Sequence, residues 1–200
     1  MTGISDVQQL PYRAIVIGGS AGSFQPVTRL LSCIPRNFPI PIFLCLHRLK
    51  HVRHGFVEAL SIRSLKKISE PTDKEQIRQN RVYLAPANYH MGISDDSSIF
   101  LSTEGLINNS RPSIDILFES AAYAYGPKLL GILLSGANRD GAEGMRIIKC
   151  LSGTTIVQDP EESMINAMPA AALAATEIDH ILSVENIISF LINLHSQTIP

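Results

Sequence analysis

Gly18-Gly19-Ser20-Ala21-Gly22 fits the pattern G-x-S-x-G, in which a serine hydroxyl stands uncrowded on a sharp turn between an apolar strand and a helix. A serine hydroxyl is a weak nucleophile until a neutral imidazole takes its proton and a carboxylate holds that imidazole in the right tautomer. His47, at the end of the apolar run Ile42-Phe43-Leu44-Cys45-Leu46, can supply the imidazole. Asp140, after Leu129 to Leu134 and the loop Ser135-Gly136-Ala137-Asn138-Arg139, can supply the carboxylate. The amide of Ala21, near a helix N-terminus, is a candidate donor to an oxyanion. The chemistry these residues would do together is acyl transfer through a covalent serine intermediate.

Each residue also has a plainer reading. Ser20 could cap a helix on a glycine-rich turn. A dinucleotide site is disfavoured, because Ser20 and Ser23 occupy glycine positions of G-x-G-x-x-G and the second strand ends in His47 where a ribose-binding acid is expected. His47, His51 and His54 would suggest a metal site only if they shared one helix face, and His47 closes a strand instead. Asp140 precedes Gly141-Ala142-Glu143 and could cap its own helix, with Asp159 as a competing acid after the strand Thr154 to Val157. Ser113 and Asp115 are accounted for by the first turn of the helix after Pro112.

The elements that must position these groups follow from periodicity. Buried β-branched runs alternate with helical spacing: Ala14 to Ile17, then Val27, Leu30, Leu31 and Ile34; Ile42 to Leu46, then Phe56, Ala59 and Leu60. Between Ser69 and Ser102 short extended pieces (Arg81 to Ala85, Met91 to Ile93, Ser98 to Leu101) predict a small antiparallel excursion. Helix from Pro112, strand Leu129 to Leu134, helix Asp140 to Cys150, strand Thr154 to Val157, helix Ala167 to Ala175, strand His180 to Leu182 and a last helix through Leu191 complete the series. The expected fold is α/β: a doubly wound, mainly parallel sheet with helices on both faces, in which strand carboxyl ends face the ligand crevice. One domain is expected over 13–195, with an N-terminal extension, 1–12, and a tail, 196–200.

Composition bounds the partners. Of 200 residues, 45% are hydrophobic and 18% charged, so the chain can bury a sizeable core. Seventeen Lys and Arg against eighteen Asp and Glu give a net charge of -1, with no overall field towards nucleic acid or an anionic membrane. No apolar run reaches the roughly 18 to 20 residues of a membrane span, and the first residues carry no basic leader, so the expected compartment is the cytosol. Cys33, Cys45 and Cys150 are read as small buried thiols rather than as a disulfide framework.

Taken in order, Ile17-Gly18-Gly19-Ser20-Ala21-Gly22, His47, Val82-Tyr83-Leu84-Ala85-Pro86 with His90-Met91, Arg111-Pro112-Ser113-Ile114-Asp115, the stretch Ser135 to Gly144, Val157-Gln158-Asp159 and Met168-Pro169 resemble the catalytic domain of chemotaxis protein-glutamate methylesterases, the CheB type. The resemblance runs from about Arg13 to Leu194. It implies Ser20 as nucleophile, His47 as general base and acid, and Asp140 as orienting carboxylate, with the backbone amides of Ala21 and of the Ala137 loop as oxyanion donors. The implied reaction is hydrolysis of glutamate methyl esters on chemoreceptor-like proteins, with methanol released, and glutamine deamidation as a further family activity. No metal or organic cofactor is implied. A methyltransferase and a separate response regulator are the other implied partners. Only about a dozen residues precede the first strand, so a stand-alone catalytic domain without a receiver domain is expected. Two departures touch the rim of the site: Arg48-Leu49 follow His47 where such relatives often have Met-Pro, and Ala137 stands where many have methionine. Two competing readings are a binding or signalling module that keeps the fold without turnover, and a phosphate or nucleotide binder at the glycine turn.

Overall fold

The computed structural model describes residues 10–48 and 55–196. The run Ala14–Gly19 forms β1, followed by α1 (Phe24–Cys33), β2 (Ile42–Leu46), α2 (Phe56–Ser61), β3 (Ile68–Ser69) and β4 (Glu75–Gln76). Then come β5 (Val82–Leu84), β6 (His90–Ile93), β7 (Ser98–Ser102), α3 (Ile114–Tyr125), β8 (Leu129–Leu133), α4 (Ala142–Cys150), β9 (Thr154–Gln158), α5 (Ala167–Ala175), β10 (His180–Leu182) and α6 (Val184–Ser196).

Strands β1, β2 and β8 carry no polar side chain because both of their faces are covered, and β9 is buried from Thr155 to Gln158. They lie in a seven-stranded parallel sheet of order β10-β9-β8-β1-β2-β5-β3. One core packs α1, α2 and α6 on Ile15, Ile17, Leu44, Ile132 and their neighbours. The other packs α3, α4 and α5 on Val16, Phe43, Tyr83 and Leu133. Helices therefore cover both faces, as the alternation predicts.

The antiparallel excursion exists, but its membership differs from expectation. β4, β7 and β6 form the small sheet, whereas β5, read from sequence as part of the excursion, pairs in parallel with β2 and β3 in the main sheet. Three residues that are buried on both sides are too few for a period to separate the two settings. The cysteines also depart from expectation. None is in a disulfide, yet only Cys45 is buried; Cys33 is half-buried and Cys150, on the last turn of α4, is exposed. Among the described residues no helix is long and apolar enough to cross a membrane.

β1 lies between β2 and β8. The chain leaves β1 towards β2 on one side and leaves β8 towards β9 on the other, so the loops after β1 and β8 diverge. That is the topological switch point, where an open α/β sheet leaves a crevice at the carboxyl ends of its strands.

Candidate active site

Ser20 is the first residue beyond β1 and is held from both neighbouring strands. Its amide donates to the Ser135 carbonyl at 2.9 Å, and the His47 amide donates to the Gly19 carbonyl at 3.0 Å, so the ladders continue past the strand ends. The Ser20 carbonyl accepts from the Ser23 amide at 3.0 Å and from Ser23 Oγ at 2.6 Å, which closes a tight turn. Ser23, not Ser20, is the N-cap of α1, and its hydroxyl is spent on this turn. Ser20 Oγ has no hydrogen-bond partner among the described residues, as befits a hydroxyl facing a cleft.

The glycines of the motif serve different ends. Gly22 has φ +84°, a left-handed conformation that a side chain disfavours, and a Cβ there would meet Ser135 Oγ at 2.6 Å. Gly18 lies within β1, where a Cβ would meet Ile114 Cγ2 at 2.5 Å, so α3 can approach the sheet directly beneath the turn. Ser135 Oγ sits 2.9 Å from the Ala21 carbonyl and 3.0 Å from that of Ile165, tying the β1 turn to the loop before α5.

His47 and Asp140, 93 residues apart, meet with Nε2 to Oδ2 at 2.8 Å. Asp140 is fully buried, and its carboxylate also accepts from the Ile114 amide at 2.7 Å, Ser113 Oγ at 2.8 Å, Asn108 Nδ2 at 3.2 Å and the Asp115 amide at 3.3 Å. Burial alone would push this carboxyl up. The bonds from His47, Ile114 and Ser113 outweigh burial and hold Asp140 below the usual carboxylate range. An ionised carboxylate can only accept, so His47 Nε2 carries the proton and Nδ1 presents its lone pair. Nδ1 lies 3.4 Å from Ser110 Oγ.

Asp140 does cap a helix, but not its own. It serves the amides of Ile114 and Asp115 at the start of α3. Asp115 in turn accepts from the amides of Gly141 and Gly144, both at 2.8 Å, at the start of α4. Asp115, on α3, thus caps α4, while Asp140, just ahead of α4, caps α3, and Asn108 Nδ2 bridges them, 2.8 Å from Asp115 Oδ2. Below this pair the buried His90 accepts the Ser113 amide on Nδ1 at 3.1 Å and meets the Gly105 carbonyl through Nε2 at 2.9 Å.

Burial raises the Asp115 carboxyl to about 6; the Gly144 amide opposes this and the charge of Asp140 adds to it. An acid whose pKa is higher in the folded state binds more protons there between its unfolded and folded values, so its contribution to stability falls as pH rises from about 4 to about 6. Asp115→Asn imitates the neutral form. Its unfolding free energy is therefore expected to gain on the wild type across that window, as urea titrations at several pH values would show. A pH-independent difference would refute the assignment.

Ser20, Ala21, Gly22, His47, Arg48, Ser110, Arg111 and Pro112 line one cleft of about 550 Å³, with Phe24 and Phe56 on its wall. A cavity of similar size, about 600 Å³, lies at the other end of the strands around Tyr12, Arg13 and Pro39, and none of Ser20, His47 and Asp140 lines it. The structure thus brings Ser20 and His47 to one cleft and joins His47 to Asp140, while no Ser20 to His47 hydrogen bond is formed. Of the two expected oxyanion amides, Ala21 is on the cleft; Ala137 is exposed and outside the lining formed by the described residues. Asp159 turns its carboxylate to the Glu161 amide at 2.9 Å and so does not compete for His47. His51 and His54 lie outside the described residues. Sequence reasoning gave no role to Ser110, Asn108 or His90; the run Asn108-Asn109-Ser110 before Arg111-Pro112 was the available signal.

Residues 15–191 match the family described as CheB methylesterase. A Leptospira interrogans protein, provisionally named protein-glutamate methylesterase/protein-glutamine glutaminase, is 42% identical over 183 residues, 92% of this chain and 95% of its own. Protein-glutamate methylesterase/protein-glutamine glutaminase 1 of Syntrophus aciditrophicus is 32% identical over 189 residues, 94% of this chain but 54% of its own, so this chain spans about half of that relative. The crystal structure of the Thermotoga maritima CheB methylesterase catalytic domain superimposes with a TM-score of 0.86 at 29% identity, covering 92% of this chain and 98% of the other.

Proposed function

This chain belongs to the CheB methylesterase family, and from that premise and the geometry around Ser20 we propose that it is a serine hydrolase that removes methyl groups from glutamate side-chain esters. Its substrates are chemoreceptor-like proteins in the cytosol, modified by a partner methyltransferase, with deamidation of glutamine by the same steps. The observation that carries this reading is a buried, ionised Asp140 fixing the His47 tautomer beside an unbonded Ser20 hydroxyl in one cleft.

Ser20 Oγ attacks the ester carbonyl as His47 Nδ1 takes its proton. The base is Nδ1 here because Nε2 is committed to Asp140. The Ala21 amide, on the cleft and near the start of α1, stabilises the oxyanion. The protonated imidazole, stabilised by Asp140, returns its proton to the departing methoxide and methanol leaves. Water, deprotonated by the same Nδ1, then releases the glutamate carboxylate from the acyl-enzyme. Hydrogen bonds of this kind are often loose without substrate, which suits the unmade Ser20 to His47 bond.

That unmade bond is also the feature that would suit a binding module. A fluorophosphonate separates the two readings. One adduct per chain, mapped to Ser20 by peptide mass spectrometry, is expected. No adduct, or an adduct on Ser110, overturns the assignment of Ser20.

A further inference from the structure

The cleft holding Ser20 and His47 is lined by two arginines, Arg48 and Arg111, and by no carboxylate among the described residues. Their charges are answered differently. The Arg48 side chain is 3% exposed, lies over the Phe56 ring at 5.1 Å, and uses Nη2 for Glu70 and for the Ala85 carbonyl at 3.1 Å. Its Nε and Nη1 are buried without partners among the described residues, but Glu70 supplies a formal counter-charge. Arg111 has none. Its Nη1 donates to the Thr103 and Glu104 carbonyls at 2.6 and 2.8 Å, and among the described residues its Nε is buried with no partner and no carboxylate lies within ion-pair distance. Glu70 lines the adjoining cavity that Arg111 shares, yet pairs with Arg48.

A guanidinium does not lose its proton, so Arg111 cannot relieve this deficit by neutralising itself. With Nη1 spent on two carbonyls and Nε enclosed, Nη2 is the donor left for an anion, and a charge-assisted bond from it to a carboxylate is of the strong kind. Arg111 also adjoins Ser110, whose hydroxyl touches the imidazole at 3.4 Å, so an anion bound there would lie beside the reacting ester. The ester itself is neutral. The anion must come from another side chain of the substrate.

We infer that Arg111, backed by Arg48, is a carboxylate-binding subsite that selects glutamate methyl esters flanked by an unesterified acidic side chain. This rests on the esterase reading above, of which it specifies the substrate. The test uses two peptides that each carry one glutamate methyl ester and differ only in flanking Glu or Gln. Binding is measured by fluorescence anisotropy with the Ser20→Ala variant, and kcat/KM with the wild type. The Glu peptide is expected to bind about tenfold more tightly. That ratio should collapse towards one in Ser20→Ala/Arg111→Gln and be partly kept in Ser20→Ala/Arg111→Lys. Equal binding of both peptides overturns the subsite, as does a ratio that Arg111→Gln leaves unchanged. Arg111→Gln also removes the tether to Thr103 and Glu104, and the comparison of two peptides on one unaltered cleft is independent of that loss. Discrimination in binding with no wild-type turnover of either peptide would sustain the subsite and sink the esterase reading; turnover of both without discrimination would do the reverse.

Discussion

Methanol release from methylated receptor membranes is expected to fall about 10⁶-fold in Ser20→Ala, and by a similar factor in His47→Ala, because nucleophile and base act as one unit. Ser20→Ala should be otherwise silent. Its hydroxyl bonds to nothing among the described residues, so the free energy of unfolding should stay within about 0.5 kcal/mol of the wild type. His47→Ala removes one of the donors to a buried carboxylate that keeps four others, so a modest loss of stability accompanies the loss of turnover. Ser110→Ala is the informative control. Ser110 Oγ is the hydroxyl within reach of His47 Nδ1, and if it only shares the imidazole its removal should cost far less than that of Ser20. A Ser110→Ala variant as inactive as Ser20→Ala would transfer the nucleophile assignment. Single-turnover methanol assays with thermal melts on the same preparations would read all three variants.

Much of this was legible in the chain before any coordinates, for physical reasons. Strands covered on both faces are apolar throughout, so β1, β2 and β8 announce themselves, and the loops after them hold Ser20, His47 and Asp140. What escaped is what depends on partners distant in sequence. β5 has three residues, and nothing local says which sheet it joins. Asp140 looks like a cap for α4 because capping rules are local, whereas the acid that caps α4 is Asp115, 25 residues upstream, and Asp140 caps the helix bearing Asp115. Cys150 shares the helical pattern of α4 yet falls on its outer face at the last turn. The same locality hides the arginines: the sequence places Arg48 and Arg111 far apart, and only the fold shows both on one cleft, with a counter-charge for one of them.

The reciprocal capping makes Asp140→Asn the variant in which stability and catalysis must be separated. Turnover is expected to fall about 10⁴-fold. The wild-type carboxylate uses Oδ2 for His47 Nε2 and the Ile114 amide, and Oδ1 for Ser113 Oγ, Asn108 and the Asp115 amide. An asparagine has one acceptor oxygen for these two sets of donors. If its amide nitrogen faces His47, Nε2 must become the acceptor, Nδ1 takes the proton, and the nitrogen proposed to serve Ser20 is no longer a base. The asparagine nitrogen also confronts the Ile114 amide; turned the other way it confronts Ser113 Oγ, Asn108 Nδ2 and the Asp115 amide, so either orientation sets a donor against the start of α3, with a stability loss of about 3 kcal/mol for the broken buried set. Because the folded Asp140 carboxyl titrates below its ordinary range, the stability it contributes is present at neutral pH and is lost as pH falls through the folded value. The deficit of Asp140→Asn against wild type should therefore be full near pH 7 and shrink in acid. The catalytic loss has no such rescue, since it follows from the tautomer and not from folding. Denaturant titrations fix the folded fraction, and methanol release per folded molecule isolates the catalytic part. If folded Asp140→Asn keeps turnover within tenfold of the wild type, Asp140 is a cap for α3 and not the orienter of His47.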